Sequence, residues 1–422
     1  MRIKHPAVAT VILAAGLVTS AVTVPPSAAV RRADPAVVTN WNAIASRTIL
    51  TENAVPVPVS ALYFGFVSIA VYDAVVTIEG RYQPYLRQPR VRGKASTEAA
   101  AATAAYRVLN YYFPTSAKNL ASDYATSLGH IPDGSAKVRG QKVGATAAST
   151  LIAARKNDGR DANITLDVTP APGVWRPTPD AFAPMLAPWL GFVRPISLRS
   201  PTQFRLHGPD PITSRRYARD FAEVKAKGAK DGSTRTAAET ETALFWSAPL
   251  TAQYNAALRD RVTGSGMDIV RTARAFALLD ASGADALIAC WRAKYDSAFW
   301  RPITAIRLAD TDGNPRTAPD PNWTPLVQTP PYPEYTSGHA CLTGASSETF
   351  SRLFGARSID INVPSSVTAT TRHFTTAAAL DTETKNARIW LGIHFRRAMN
   401  DGNQLGHRVG AWTANHEFLP KR

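Results

Sequence analysis

Apolar positions recur along this chain mostly at the three- and four-residue spacing of a helix face, and no alternating strand pattern competes with them through the first half. The run ALYFGFVSIAVYDAVV is apolar almost all round. With Ser60 as an N-cap and Gly80 as a stop it predicts a helix over residues 60–79. Pro56 and Pro58 shorten that run and Asp73 interrupts it, which points to a buried core helix and away from a membrane span. Alanine-rich helices are expected at 96–112, 116–128 and 135–155. Residues 158–211 then turn to Pro, Gly, Asp and Thr. The stretch TPAPGVWRPTPDAFAP cannot be a helix interior, so this segment is expected to cross over between two helical halves. Helices resume at 214–228, 233–246, 267–300, 338–354 and 376–416, with a second proline-rich loop at 302–337. The pattern predicts an all-α protein of two packed helical bundles, one over residues 30–200 and one over 201–422.

Composition supports this picture, since 422 residues at 45% hydrophobic can bury a large core. The first residues stand apart. Arg2 and Lys4 precede an apolar run through Ile12, Leu13 and Leu17, and Ser27-Ala28-Ala29 follows, which is the layout of a secretory signal peptide over 1–29 cleaved after Ala29. Export is therefore expected. The formal charge of +16 favours anionic partners. Zinc-finger spacing, an RNA-binding aromatic signature and a basic low-complexity tail are all missing, so the expectation is small anions and no nucleic acid. Cys290 and Cys341 are the only cysteines, and either one disulfide or two buried thiols fits an exported chain.

Candidate chemistry begins at KYDSAFWRP, residues 294–302. On a continuous helix seven residues nearly close two turns, so Lys294 and Arg301 are expected on one face, about 10.5 Å apart along the axis, with Pro302 ending the helix. A single anion held between two long cationic side chains explains that placement. TSGHACLTGA adds Ser337, Gly338 and His339 at a helix start, where unpaired N–H groups and the positive dipole end favour an anion. ARIWLGIHF adds Arg388 and His394. These lie about 120° apart on an ideal helix, so they converge only if the arginine wraps round or the helix loosens at Gly392. Three fixed cations, a hydroxyl, a backbone N–H and two histidines suit a small, highly charged tetrahedral oxyanion such as phosphate or vanadate. If both helices point at one anion, Cys290 and Cys341 should also lie near each other.

These three motifs in this order resemble the vanadium-dependent haloperoxidases and their relatives, the type 2 phosphatidic acid phosphatases and class A acid phosphatases. Those families share Lys-x6-Arg-Pro, Pro-Ser-Gly-His and Ser-Arg-x5-His-x3-Asp. The resemblance spans about residues 291–410 and implies vanadate as cofactor, with hydrogen peroxide, halide and a small organic acceptor as partners. It implies that Lys294, Arg301, Ser337, Gly338 and Arg388 bind the oxyanion. His394 becomes the vanadium ligand, or the phosphorylated nucleophile of a phosphatase, and His339 the acid/base, a division histidine chemistry allows. Trp291 and Tyr332 fall where such enzymes line a halide pocket, though plain core packing serves them equally.

Three positions depart from the pattern. Thr336 replaces the motif proline, Ala387 the serine and Ala398 the aspartate. The last change removes a carboxylate that would orient the groups touching the anion, with Asp401 three residues later as a candidate substitute. His130, His207, His373 and His407 are expected to be surface or hydrogen-bonded core residues. The lone His416-Glu417 and the missing G-x-S-x-G elbow exclude zinc-protease and serine-hydrolase motifs. Three functions stay open: a secreted haloperoxidase, a soluble phosphomonoesterase, and an anion-binding protein without catalysis. A lipid phosphatase embedded in the membrane is disfavoured by the lack of several membrane spans. The residues leave halide and oligomeric state undetermined.

Overall fold

The computed structural model describes residues 1–3, 5–11 and 32–421, so the expected cleavage after Ala29 lies outside the described residues. Helix α1 (Ala36–Ser46) leads into α2 (Val57–Glu79), which starts on Pro56 and Pro58 and stops where Gly80 takes φ +75. The alanine-rich stretch gives α3 (Thr97–Tyr112), α4 (Ala117–Gly129) and α5 (Ser135–Ala154). After the crossover come α6 (Arg215–Gly228), α7 (Ala237–Phe245), α8 (Leu250–Gly264) and the long α9 (Ile269–Ser297). Short α10 (Pro302–Arg307) precedes the second proline-rich loop, and α11 (Gly338–Phe354), α12 (Ala377–Trp390) and α13 (Arg396–His416) complete the all-α fold. One antiparallel hairpin interrupts it, β1 (Ile361–Ser365) paired with β2 (Thr370–Phe374).

Helix α2 is the candidate among the described residues for a span by length and apolarity, and it is buried against α3, α5 and α9. Asp73 is compatible with that burial because its carboxylate accepts the N–H groups of Tyr85 at 2.7 Å and Leu86 at 3.0 Å. Asp285 does the same for the end of the crossover, accepting from Ile196, Ser197 and Leu198 at 2.6 to 2.9 Å, and so pins that segment to α9. Residues Ala33–Arg422 form one compact unit, in which one apolar cluster runs from Val38 to Phe418 and a second gathers Tyr217, Trp300 and Phe395. Helix α2 packs against α9 within the first of these clusters. Helices α11 and α13 cross closely through glycines. A Cβ on Gly344 would stand 2.2 Å from the Asn403 carbonyl oxygen, and one on Gly406 would stand 2.1 Å from that of Cys341.

Two long helices expected from periodicity are each broken, and both breaks matter for the site. The 267–300 helix ends at Ser297, where Ala298 adopts φ 41, ψ 41. Pro302 does not end that helix but opens α10, holding Arg301 extended as its N-cap. Lys294 and Arg301 therefore do not share a helix face. They flank a turn, which residues 173–175 fasten from across the molecule: the Trp175 N–H donates to the Ala298 carbonyl at 2.6 Å and the Trp300 N–H to that of Gly173 at 3.0 Å. The 376–416 helix breaks at Gly392, whose φ of +80 and closeness to the Gly228 carbonyl admit no side chain. His394 consequently sits in the loop between α12 and α13. Within the second proline-rich loop Asp312 builds a turn, accepting from the Asn314 N–H at 2.7 Å and from the Thr317 hydroxyl at 2.8 Å.

Candidate active site

Lys294, Arg301, Arg388 and His394 are all brought into one buried cluster, each less than 5% exposed. Among the described residues none of the three cations has a carboxylate within ion-pairing distance. The proline-rich loop PPYPEY supplies backbone oxygens instead. Lys294 Nζ donates to the carbonyls of Pro333 at 2.7 Å and Glu334 at 3.2 Å. Arg301 donates from Nε to the Tyr332 carbonyl at 2.7 Å and from Nη1 to the Ile393 carbonyl at 2.7 Å. Pro330, Pro331 and Pro333 have no N–H with which to compete, so this loop presents acceptors to the two cations. Arg388 Nη1 donates to the Trp246 carbonyl at 3.1 Å, while its buried Nε has no partner. Burial lowers Lys294 to about 7, with Arg301 pushing the same way and Cys290 and Glu334 opposing. Burial likewise lowers Arg388 to about 10.

Ser337 N-caps α11, its Oγ accepting from the Ala340 N–H at 3.4 Å, which leaves its hydroxyl proton free to donate. Gly338 follows as the first helical residue with an unpaired N–H. Its bareness also serves packing, because a Cβ there would lie 3.1 Å from the Trp291 ring. His339 is partly exposed, but its Nε2 is buried and without a partner. Burial, then the charges of Arg388 and Lys294, hold its pKa well below the ordinary value. Burial and the charges of Arg301, Lys294 and Arg388 do the same for His394, which favours the neutral form of both imidazoles.

Trp291 is buried and its indole N–H donates to the Leu186 carbonyl at 3.1 Å. Its ring lies 4.9 Å from that of Tyr332, which is partly exposed and stands between Lys294 Nζ at 4.9 Å and the Arg301 guanidinium at 4.8 Å. The two aromatics thus wall one side of the cationic cluster, with Tyr332 and His339 at its opening.

The cysteines are neighbours, as expected, and both are free: each Sγ lies 3.3 Å from Thr336 Oγ1. A threonine in place of the motif proline therefore bridges two thiols. Asp401 does not replace the missing aspartate near the anion cluster. It accepts from the Tyr335 hydroxyl at 2.6 Å and pairs with Arg397 at 2.8 Å. The carboxylate that does enter the cluster is Glu334, a residue sequence reasoning passed over. Its one signal was an acid directly before an aromatic in a loop otherwise made of prolines. His407 bridges Asp381 and Glu348, and His373 is an exposed residue bonded to Asn362.

Three buried cations without an ion-paired carboxylate, an unpartnered Nε on Arg388, an unpartnered ring nitrogen on His339 and the N-terminus of α11 thus stand together on an all-α scaffold. Residues 274–418 match the family described as the VCPO second helical-bundle domain. Vanadium chloroperoxidase of Curvularia inaequalis is 30% identical over 171 residues, 29% of this chain, and the match spans about a quarter (27%) of that relative's length. A structure of the first bacterial vanadium-dependent iodoperoxidase superposes with a TM-score of 0.80 at 23% identity, covering 92% of this chain and 98% of that one. Holo-type bacterial vanadium-dependent chloroperoxidase gives 0.72 at 20% identity, over 92% and 97%. The chain has their fold.

Proposed function

We propose that this protein is an exported vanadate-dependent haloperoxidase that uses hydrogen peroxide to oxidise halide to hypohalous acid, which halogenates a small organic acceptor. The observation behind this reading is the convergence of Lys294, Arg301 and Arg388 in one buried cluster in which Arg388 Nε has no protein acceptor. The donor set fits vanadate. Lys294, Arg301, Arg388, the Ser337 hydroxyl and the Gly338 N–H would hold its oxygens, and His394 would bind through Nε2. When bound, vanadate supplies a pentavalent Lewis acid that activates peroxide toward halide.

The chain's own residues supply the rest. Lys294 presents its charge beside the Trp291 and Tyr332 rings, where it can polarise an oxygen facing the halide. An anion in the cluster offsets the cations that depress His339, so its pKa moves back toward the range in which it takes and returns protons at Nε2. The aromatic wall and the named relatives favour this reading over a phosphomonoesterase that uses His394 as nucleophile.

The test is an assay of purified protein with and without orthovanadate, for bromination with peroxide and for hydrolysis of an aryl phosphate. Vanadate-dependent bromination supports the proposal. Phosphate hydrolysis inhibited by vanadate would replace it with the phosphatase, and neither activity would leave an anion-binding protein.

A further inference from the structure

His394 Nε2 lies 3.3 Å from Arg301 Nη1, and a guanidinium can only donate, so Nε2 must carry the lone pair. The ring proton of the neutral imidazole is then on Nδ1, which lies 2.9 Å from Glu334 Oε1. The same oxygen accepts the Phe395 backbone N–H at 2.9 Å, so the carboxylate is itself held in place. Glu334 is also tied in by its backbone. Its N–H donates to the Phe299 carbonyl at 2.9 Å, and its own carbonyl accepts from Lys294 Nζ. One residue thereby joins the α9–α10 turn, Lys294 and the His394 loop.

We infer that Glu334 is the positioning residue for His394, fixing the Nδ1–H tautomer and ring orientation that leave Nε2 free for the anion, at a point where Ala398 provides no carboxylate. The substitute comes from a different segment. Ala398 offers only its backbone carbonyl, which accepts the Ser337 N–H at 3.3 Å, and Asp401 is engaged by Tyr335 and Arg397. Partners of this kind typically change anion or metal affinity by about ten- to a hundredfold when removed.

The inference rests on His394 being the group that meets the anion, and its test does not require turnover. Protein labelled with 15N at histidine, free of anion, is compared by NMR with Glu334→Ala and Glu334→Gln, and His394→Ala identifies the resonances. Orthovanadate affinity is measured on each by calorimetry, with thermal melting as the check on folding. Wild type should show His394 as a single Nδ1–H tautomer. Glu334→Ala should mix the tautomers and weaken vanadate binding about tenfold or more. Glu334→Gln keeps an oxygen that can accept both N–H groups, so it should retain the tautomer and hold affinity within about threefold of wild type. A wild-type Nε2–H tautomer overturns the inference. So does a folded Glu334→Ala variant with unchanged tautomer and affinity, or a Gln variant as impaired as the Ala one. A protein with the expected tautomers and no peroxidase activity would refute the proposed function and leave this assignment intact.

Discussion

Arg301 meets His394 side chain to side chain and also grips the loop that carries it, with Nη1 2.7 Å from the Ile393 carbonyl and 3.3 Å from His394 Nε2. A lysine ammonium cannot reproduce that fork together with the Nε bond to Tyr332. Arg301→Lys is expected to weaken orthovanadate binding by about ten- to a hundredfold while the melting temperature changes little. Calorimetric titration alongside thermal unfolding checks both halves.

Removing His339 separates binding from chemistry. His339→Ala should keep vanadate affinity within about tenfold, or about 1.4 kcal/mol, because Lys294, Arg301 and Arg388 still meet the anion. Turnover should fall by about 10²-fold or more and the pH–rate profile should lose a limb. A variant that loses the anion but keeps its rate at saturating vanadate would exchange the roles of the two histidines.

Oxyanion affinity should depend on pH through Lys294. Burial brings the free ammonium to about 7, and a bound anion stabilises the charged form, so binding takes up a proton above that pH. Affinity is therefore fullest below 7 and falls as pH rises, at a limiting slope of about tenfold per unit. Tungstate, whose charge is constant across this range, is the suitable probe. Lys294→Met should bind it weakly and lose most of the dependence between pH 6 and 8.

His407 offers a stability test remote from the anion. Burial alone would lower its pKa, but hydrogen bonds to Asp381 and Glu348 raise it to about 9 from an ordinary 6.5. A raised histidine stabilises the fold fully below pH 6.5 and loses that contribution as pH climbs through about 9. His407→Gln should accordingly melt below wild type at pH 6, with the gap closing by pH 10.

The crossing of α11 and α13 predicts a larger effect. Gly406→Ala places a methyl 2.1 Å from the Cys341 carbonyl oxygen, so the helices must separate. The expected cost is about 1–3 kcal/mol. Because α11, the helix pushed away, is capped by Ser337 and carries His339, vanadate affinity should fall as well.

The helical class and the polar groups of the cluster were legible because each rests on local information: periodicity, a capping serine, glycines, and three short motifs of fixed spacing. The helices expected to start at 96 and 214 are capped by Ser96 and Ser214, whereas Ser60, expected as an N-cap, lies inside α2, which starts at Val57 on Pro56. What escaped depends on distant partners. The 267–300 pattern shows no break because Ala298 is a helix-forming residue; the turn there is imposed by hydrogen bonds from residues 173–175. Glu334 escaped for the same reason, its meaning residing in a histidine sixty positions along. Helices α1 and α8 went unseen, and α7 starts later than expected, at Ala237 after a Thr236–Glu239 capping box. The β1–β2 hairpin was missed because TTRHF has one apolar residue, at its end, and INVPS contains a proline, so neither strand shows a clean alternation.

The strap from residues 173–175 to residues 298–300 bears on how such a protein could be divided or recombined. A gene fragment for residues 274–418 would encode every histidine and cation of the cluster yet leave behind the chain that shapes the bend between Lys294 and Arg301. Swapping that fragment between relatives would transfer the ligands without their geometry. A functional chimera has to carry the crossover along, so the smallest exchangeable unit is discontinuous in sequence.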